Sequence, residues 1–160
     1  IRFEKVNIGD LVSKTVEMIN LQYRDDKIKI TYDKVDRKAN VIGNFFKLEQ
    51  VLINLLSNSR YAVNERFNNS GSTEYQKQIE LVAIRNGSII NLEVVDNGIG
   101  IEKDNIDKLF TPFFTTKGGT AGTGLGLPIV YGIVKEMNGD IYVTSQVMEY
   151  TRVRITLPVV

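Results

Sequence analysis

The chain contains no cysteine and no histidine, and each absence closes a class of chemistry. Without cysteine there is neither a disulfide framework nor a thiolate metal site, which suits a reducing compartment. Without histidine the commonest general base is missing, and the chain carries no histidine nucleophile or phosphoacceptor of its own. An excess of charge of one sign is lacking too. Twenty lysines and arginines face nineteen aspartates and glutamates, a formal net charge of +1, so no broad field points to nucleic acid or an anionic membrane as partner. No signal peptide opens the sequence, and no apolar run approaches the roughly 18 residues of a membrane span. The chain reads as soluble, and a start at Ile1 without methionine predicts a fragment cut from something longer.

What is present is the composition of one ordinary domain: 160 residues, 42% hydrophobic and 24% charged, enough to build a sizeable core. Asp10 is placed to cap a helix through about Arg24, with Leu11, Val12, Val16, Ile19 and Leu21 near helical spacing. "KIKITYDKV" alternates as a half-buried strand, and a short strand surrounds Val41 and Ile42. Phe45 to about Glu65 is too long for a strand and rich in helix formers, so it predicts a core helix. The polar stretch from Arg66 to Gln78 then reads as a surface loop. Two alternating runs around Asn86-Gly87 predict a hairpin of central strands. From Gly98 to Gly122 no period holds, apart from one short helix in "KDNIDKLF"; this is a long loop of the functional kind. Helical spacing resumes from Leu125 to Met137, and "DIYVTSQV" and "TRVRITLPV" close the chain as an antiparallel pair. The order predicts an α+β two-layer sandwich, a mixed and mostly antiparallel sheet covered on one face by helices.

Four stretches place polar or glycine residues where the pattern would take apolar ones. Asn54 and Asn58, four apart, share one face of the core helix. They read either as a solvent-facing or locally bonded pair, or as neutral oxygen donors for a hydrated magnesium ion and phosphate oxygens. "DNGIG", Asp96 to Gly100, ends an apolar strand. It is either a turn or a carboxylate for an exocyclic amine, with glycines that let a flat ring approach. In "LFTPFFTTK" the loop phenylalanines are a satellite of the core or a recognition element, and Lys117 is a phosphate counter-charge or a solvated residue. In "GTAGTGLGLPIV" Gly122, Gly124 and Gly126 read either as a flexible linker or as a phosphate cradle and hinge, where backbone amides could converge on an anion at a helix entry favoured by the dipole. Pro128 suits that helix's first turn.

The order "NLLSNS", "DNGIG", "FTPFFTTK", "GTGLGL" resembles the N, G1, F and G2 boxes of the catalytic ATP-binding domain of two-component sensor histidine kinases. This superfamily, the GHKL or Bergerat-fold group, also holds type II topoisomerases, MutL-type repair proteins and the ninety-kilodalton heat-shock chaperones. The resemblance covers nearly the whole chain. It implies ATP and magnesium as ligands, with Asn54, Asn58 and Lys117 as catalytic positions, Asn58 as main metal ligand and Asn54 in support. It implies that Asp96 receives the adenine amino group, with Gly98 and Gly100 making room. Phe113, Phe114, Thr116 and Lys117 would belong to a lid, and Gly122, Thr123, Gly124, Leu125 and Gly126 would lie over the phosphates. Tyr61 and Ile101 would complete the nucleotide contacts.

The departures are specific. Many members carry a lysine or arginine where this chain has Tyr61, and Arg60, one position early, is not given that role. "NSRYAV" with "FFTTK" looks most like the nitrogen-regulation and sporulation type. Tyr150-Thr151 stands where Gly-Thr is frequent, and "MNGD" around Gly139 replaces a glycine pair. Superfamily members that hydrolyse ATP resemble one another in a glutamate at the place of Asn54, which cannot act as a base toward water. The resemblance therefore implies a domain that holds magnesium ATP for a histidine on a separate dimerising hairpin, which later passes the phosphoryl group to a response-regulator receiver domain. It implies a monomeric fragment of a homodimeric parent, located in the cytoplasm with room for the parent to be anchored in the inner membrane. Two alternatives stay open: a serine protein kinase of the same superfamily, a type that usually lacks "FFTTK", and a nucleotide-sensing module without phosphotransfer.

Overall fold

Asn7, not Asp10, caps the first helix. Its side chain accepts the Asp10 N–H at 2.9 Å, which moves the start of α1 (Ile8–Tyr23) ahead of the expected cap and leaves Asp10 as the acidic residue of its first turn. A computed structural model describes residues 2–111 and 126–160. Along α1 the residues Ile8, Leu11, Val12, Val16 and Ile19 are fully buried, whereas Leu21 points away and is 73% exposed.

Before α1 runs β1 (Glu4–Asn7), which pairs antiparallel with β3 (Asn40–Gly43) in a two-stranded ribbon of its own. A 3-10 turn, Arg24–Asp26, leads from α1 into β2 (Lys29–Val35). Helix α2 (Phe45–Ser70) is capped by Asn44, whose side chain accepts the Lys47 N–H, and ends at Gly71 with φ 60. It runs past Glu65 and turns the first five residues of the expected loop into helix. Tertiary contacts override their modest propensity: Arg66 reaches carbonyls across the site, and Lys77 sits over the Phe67 ring at 4.6 Å.

Strands β4 (Gln78–Asn86) and β5 (Ile89–Asp96) form the expected hairpin, but its two-residue turn is Gly87 and Ser88, one position later than Asn86-Gly87. Gly87 takes φ 64 at the first turn position, where glycine is the residue that fits. After a single short turn of helix, α3 (Lys103–Ile106), and helix α4 (Gly126–Glu136), strands β6 (Asp140–Gln146) and β7 (Tyr150–Pro158) close the chain. The sheet order is β2-β4-β5-β7-β6, with β2 and β4 parallel and the remaining pairs antiparallel.

One face of the sheet meets the helices through Ile79, Leu81, Ala83, Ile90, Leu92, Val94, Ile155 and Leu157, and α2 answers with Leu48, Val51, Leu52, Leu55, Leu56 and Val63. Truncating one of these fully buried leucines to alanine costs about 2–5 kcal/mol. The other face carries polar pairs such as Arg152 and Glu93, 3.3 Å apart. This is the two-layer α+β arrangement expected. It sets α2 directly over the end of β5, where the inward series Ile90, Leu92, Val94 continues into Asp96.

Candidate functional site

The inward position at the end of β5 belongs, by alternation, to an apolar side chain. Asp96 occupies it at 4% exposure. The Ser59 hydroxyl, on the buried face of α2, donates to Oδ2 at 2.9 Å, and the Gly98 N–H donates to Oδ1 at 2.9 Å. No salt bridge among the described residues reaches this carboxylate. Burial therefore dominates and pushes the Asp96 carboxyl up to about 6 from its ordinary 3.8, against the opposing pull of Gly98 and Ser59. Each oxygen accepts one bond and retains acceptor capacity, so the group suits a ligand that brings its own N–H donor.

The backbone beside Asp96 lies against α2. A Cβ at Gly98 would meet the carbonyl carbon and Cβ of Ala62 at 2.5 Å, and the Ile99 N–H donates to the Ala62 carbonyl at 3.0 Å. Gly100 takes φ 77, and a Cβ there would stand 2.4 Å from the Gln146 carbonyl oxygen. Both glycines are thus required by close backbone approach. The Ile101 N–H is held by Ser145 Oγ at 2.8 Å, and Ser145 Oγ lies 2.9 Å from Thr151 Oγ1, on the residue paired with Asp96 across β5 and β7.

Ser59 and Ser145 are site neighbours that sequence reasoning passed over, while Ala62 and Thr151 enter it only as positions in the family comparison. Ser59 had a signal: it interrupts the series Leu52, Leu55, Leu56 and Val63 on the buried face of α2. Thr151 opens β7 on its inward side, behind the Tyr150 that replaces a glycine, and its role depends on strand register, which no local pattern reveals.

Asn54 and Asn58 are both half-buried on α2, Asn58 directly before Ser59. Tyr61 is half-buried on the same helix. Arg60 instead faces the end of α1. Its Nε and Nη2 bond the two oxygens of Asp26, and its guanidinium lies 4.3 Å from the Tyr23 ring centroid. That pairing engages the Arg60 guanidinium within the fold. Gly126 is the first residue of α4, and, its own helix aside, no described residue lies within 4 Å of where its Cβ would stand. Phe113, Phe114, Thr116, Lys117, Gly122, Thr123, Gly124 and Leu125 lie outside the described residues.

Among the described residues no group of three or more histidine, cysteine or acidic side chains could hold a metal. A metal here would rely on amide oxygens, ligand oxygens and water, a donor set that fits magnesium. No helix among the described residues is long and apolar enough to cross a membrane.

A family model described as histidine kinase-, DNA gyrase B- and HSP90-like ATPase matches residues 43–160. The chain belongs to this family. It is 37% identical over 123 residues to the two-component sensor PprA of Pseudomonas aeruginosa, covering 77% of this chain and 13% of that protein. It is 30% identical over 156 residues to the sensor histidine kinase ZraS of Escherichia coli, covering 98% of this chain and 31% of that protein. The chain thus spans under a third of these curated relatives. The catalytic domain of the histidine kinase ThkA superposes with a TM-score of 0.81 at 24% identity, covering 99% of this chain and 98% of that one, and so shares the fold.

Proposed function

We propose that this member of the family binds ATP with magnesium and presents the terminal phosphoryl group to a histidine carried on a separate dimerising segment, as the catalytic part of a two-component sensor kinase. The observation that carries the reading is Asp96, a buried carboxylate that, among the described residues, is held by neutral donors alone at the mouth of a glycine-lined backbone cradle. The exocyclic amine of adenine supplies the missing donor, and Gly98 and Gly100 let the backbone beside Asp96 pack closely against α2 and the turn after β6.

Asn58, supported by Asn54, would hold magnesium through side-chain oxygens, and Lys117 and the glycines of 122–126 would meet the phosphates. Magnesium, when bound, neutralises charge on the phosphate oxygens. The chain's own residues then bind and orient; none of them is a base for water, since Asn54 holds the place from which a carboxylate could take its proton. With no histidine in 160 residues, the acceptor comes from outside, and transfer follows from positioning rather than covalent help. The partners are a histidine-bearing dimerisation domain and, downstream, a response-regulator receiver domain. The isolated chain is a monomer in the cytoplasm, the parent a homodimer.

Tyr61, in place of a basic residue, and the engagement of Arg60 with Asp26 favour a second reading, a nucleotide sensor without transfer. Labelled ATP, this chain and a separately supplied histidine-bearing hairpin decide between them. Label appearing on the hairpin's histidine supports the kinase, and tight nucleotide binding with no transfer supports the sensor.

A further inference from the structure

Asn97 stands between Asp96 and Gly98, and it is held from outside the pocket. Its side-chain nitrogen donates to the Gln76 carbonyl at 2.7 Å, and its side-chain oxygen accepts the Gln78 N–H at 2.9 Å. The Tyr75 hydroxyl lies 2.8 Å from the Asn97 carbonyl oxygen and 3.1 Å from the side-chain oxygen. Arg66, near the end of α2, donates from Nη1 to the same backbone carbonyl at 2.9 Å and to the Glu149 carbonyl at 3.2 Å. Its guanidinium stacks on Tyr75, 4.6 Å from the ring centroid. Burial pushes the Tyr75 hydroxyl up to about 12, so it stays a donor across the neutral range.

The Asn97 carbonyl and the Gly98 N–H are the two ends of one peptide unit, rigid and planar. Donors on the oxygen therefore fix the direction of the N–H, and a charged donor polarises the unit so that the N–H donates more strongly. That N–H is the one on Asp96 Oδ1. We infer that Arg66 and Tyr75 are positioning residues for the nucleotide base: by gripping the Asn97 carbonyl they aim the Gly98 N–H and hold the Asp96 carboxylate in its receiving orientation. Neither side chain touches the base. Arg66 also ties this peptide to the turn between β6 and β7, whose Gln146 backbone lies against Gly100 and whose Met148 N–H donates to the Ile99 carbonyl at 2.6 Å. One guanidinium thereby sets both glycine-lined walls. The inference rests on Asp96 as the acceptor of the base amine.

The test compares Arg66→Met, which keeps the stem over Tyr75, and Tyr75→Phe, which keeps the ring, with Arg152→Met on the open sheet face as control. Amide hydrogen exchange of the unliganded protein is read at Gly98, and ADP affinity by calorimetry. In Arg66→Met, Gly98 exchange is expected to rise and ADP affinity to fall, each about tenfold, with a smaller change in Tyr75→Phe and none in the control. Gly98 exchange and ADP affinity unchanged in both variants would overturn the inference and leave the nucleotide reading intact. Failure of the wild type to bind ADP would overturn the reading and the inference together. Should Arg66→Met fail to fold, Tyr75→Phe decides alone by the same two readouts.

Discussion

Adjacent residues of α2, Ser59 and Arg60, meet two carboxylates under opposite conditions. Asp26 is gripped by the Arg60 guanidinium and by the Asn64 amide at 3.0 Å, and these contacts hold its carboxyl below the ordinary value. Asp96 is more deeply buried and, among the described residues, receives only a hydroxyl and a peptide N–H, so burial raises it. The first carboxylate is matched within the fold and ties α1 to α2. The second is left with acceptor capacity and no counter-charge among the described residues, which supports the proposal that it serves a ligand.

Breaking the second carboxylate should have the largest effect. Asp96→Ala is expected to lower ADP affinity roughly 1,000-fold, about 4 kcal/mol, in a calorimetric titration, because a polar site loses its discriminating acceptor. Gly98→Val comes next. A side chain forced onto the Ala62 backbone should cost about 3 kcal/mol of stability in urea unfolding and weaken ADP binding as the cradle opens.

The two carboxylates also predict opposite responses to pH. Because the folded Asp96 stands above its unfolded value, the native state carries more protons between about 4 and 6. Its contribution is fully present below that window and is lost as pH rises through it, by about 3 kcal/mol in the unliganded protein. Asp96→Asn should flatten that slope in urea midpoints taken across the window. Asp26 is depressed, so its contribution is present above the unfolded value and disappears as pH falls through the folded one. With Arg60 partly open to solvent, the smallest effect belongs here. Asp26→Ala should cost under about 1 kcal/mol, shrink further in high salt, and leave ADP affinity within about twofold of wild type.

The same contrast explains what could be read from the residues in order. Asp96 was visible as a carboxylate at the end of an alternating apolar strand, and the asparagines of α2 were visible as polar residues on a helical face, because both signals are local periodicities. The family resemblance gives Arg60 no phosphate role, but its partner Asp26, 34 positions away, is not visible in the sequence. The ribbon of β1 and β3, the parallel pairing of β2 with β4 and the Thr151 opposite Asp96 are likewise long-range registers. The helical extension to Ser70 was missed because anchored side chains outweigh the weak propensity of an asparagine-rich stretch.

The most direct test of the central claim needs no mutation. Wild-type protein is titrated with ADP and with inosine diphosphate, which differ where the base carries an amino group or a carbonyl oxygen. If Asp96 reads the amine, ADP binds and the inosine nucleotide is at least about a hundredfold weaker. Equal affinity for the two, or binding of neither, would contradict the account.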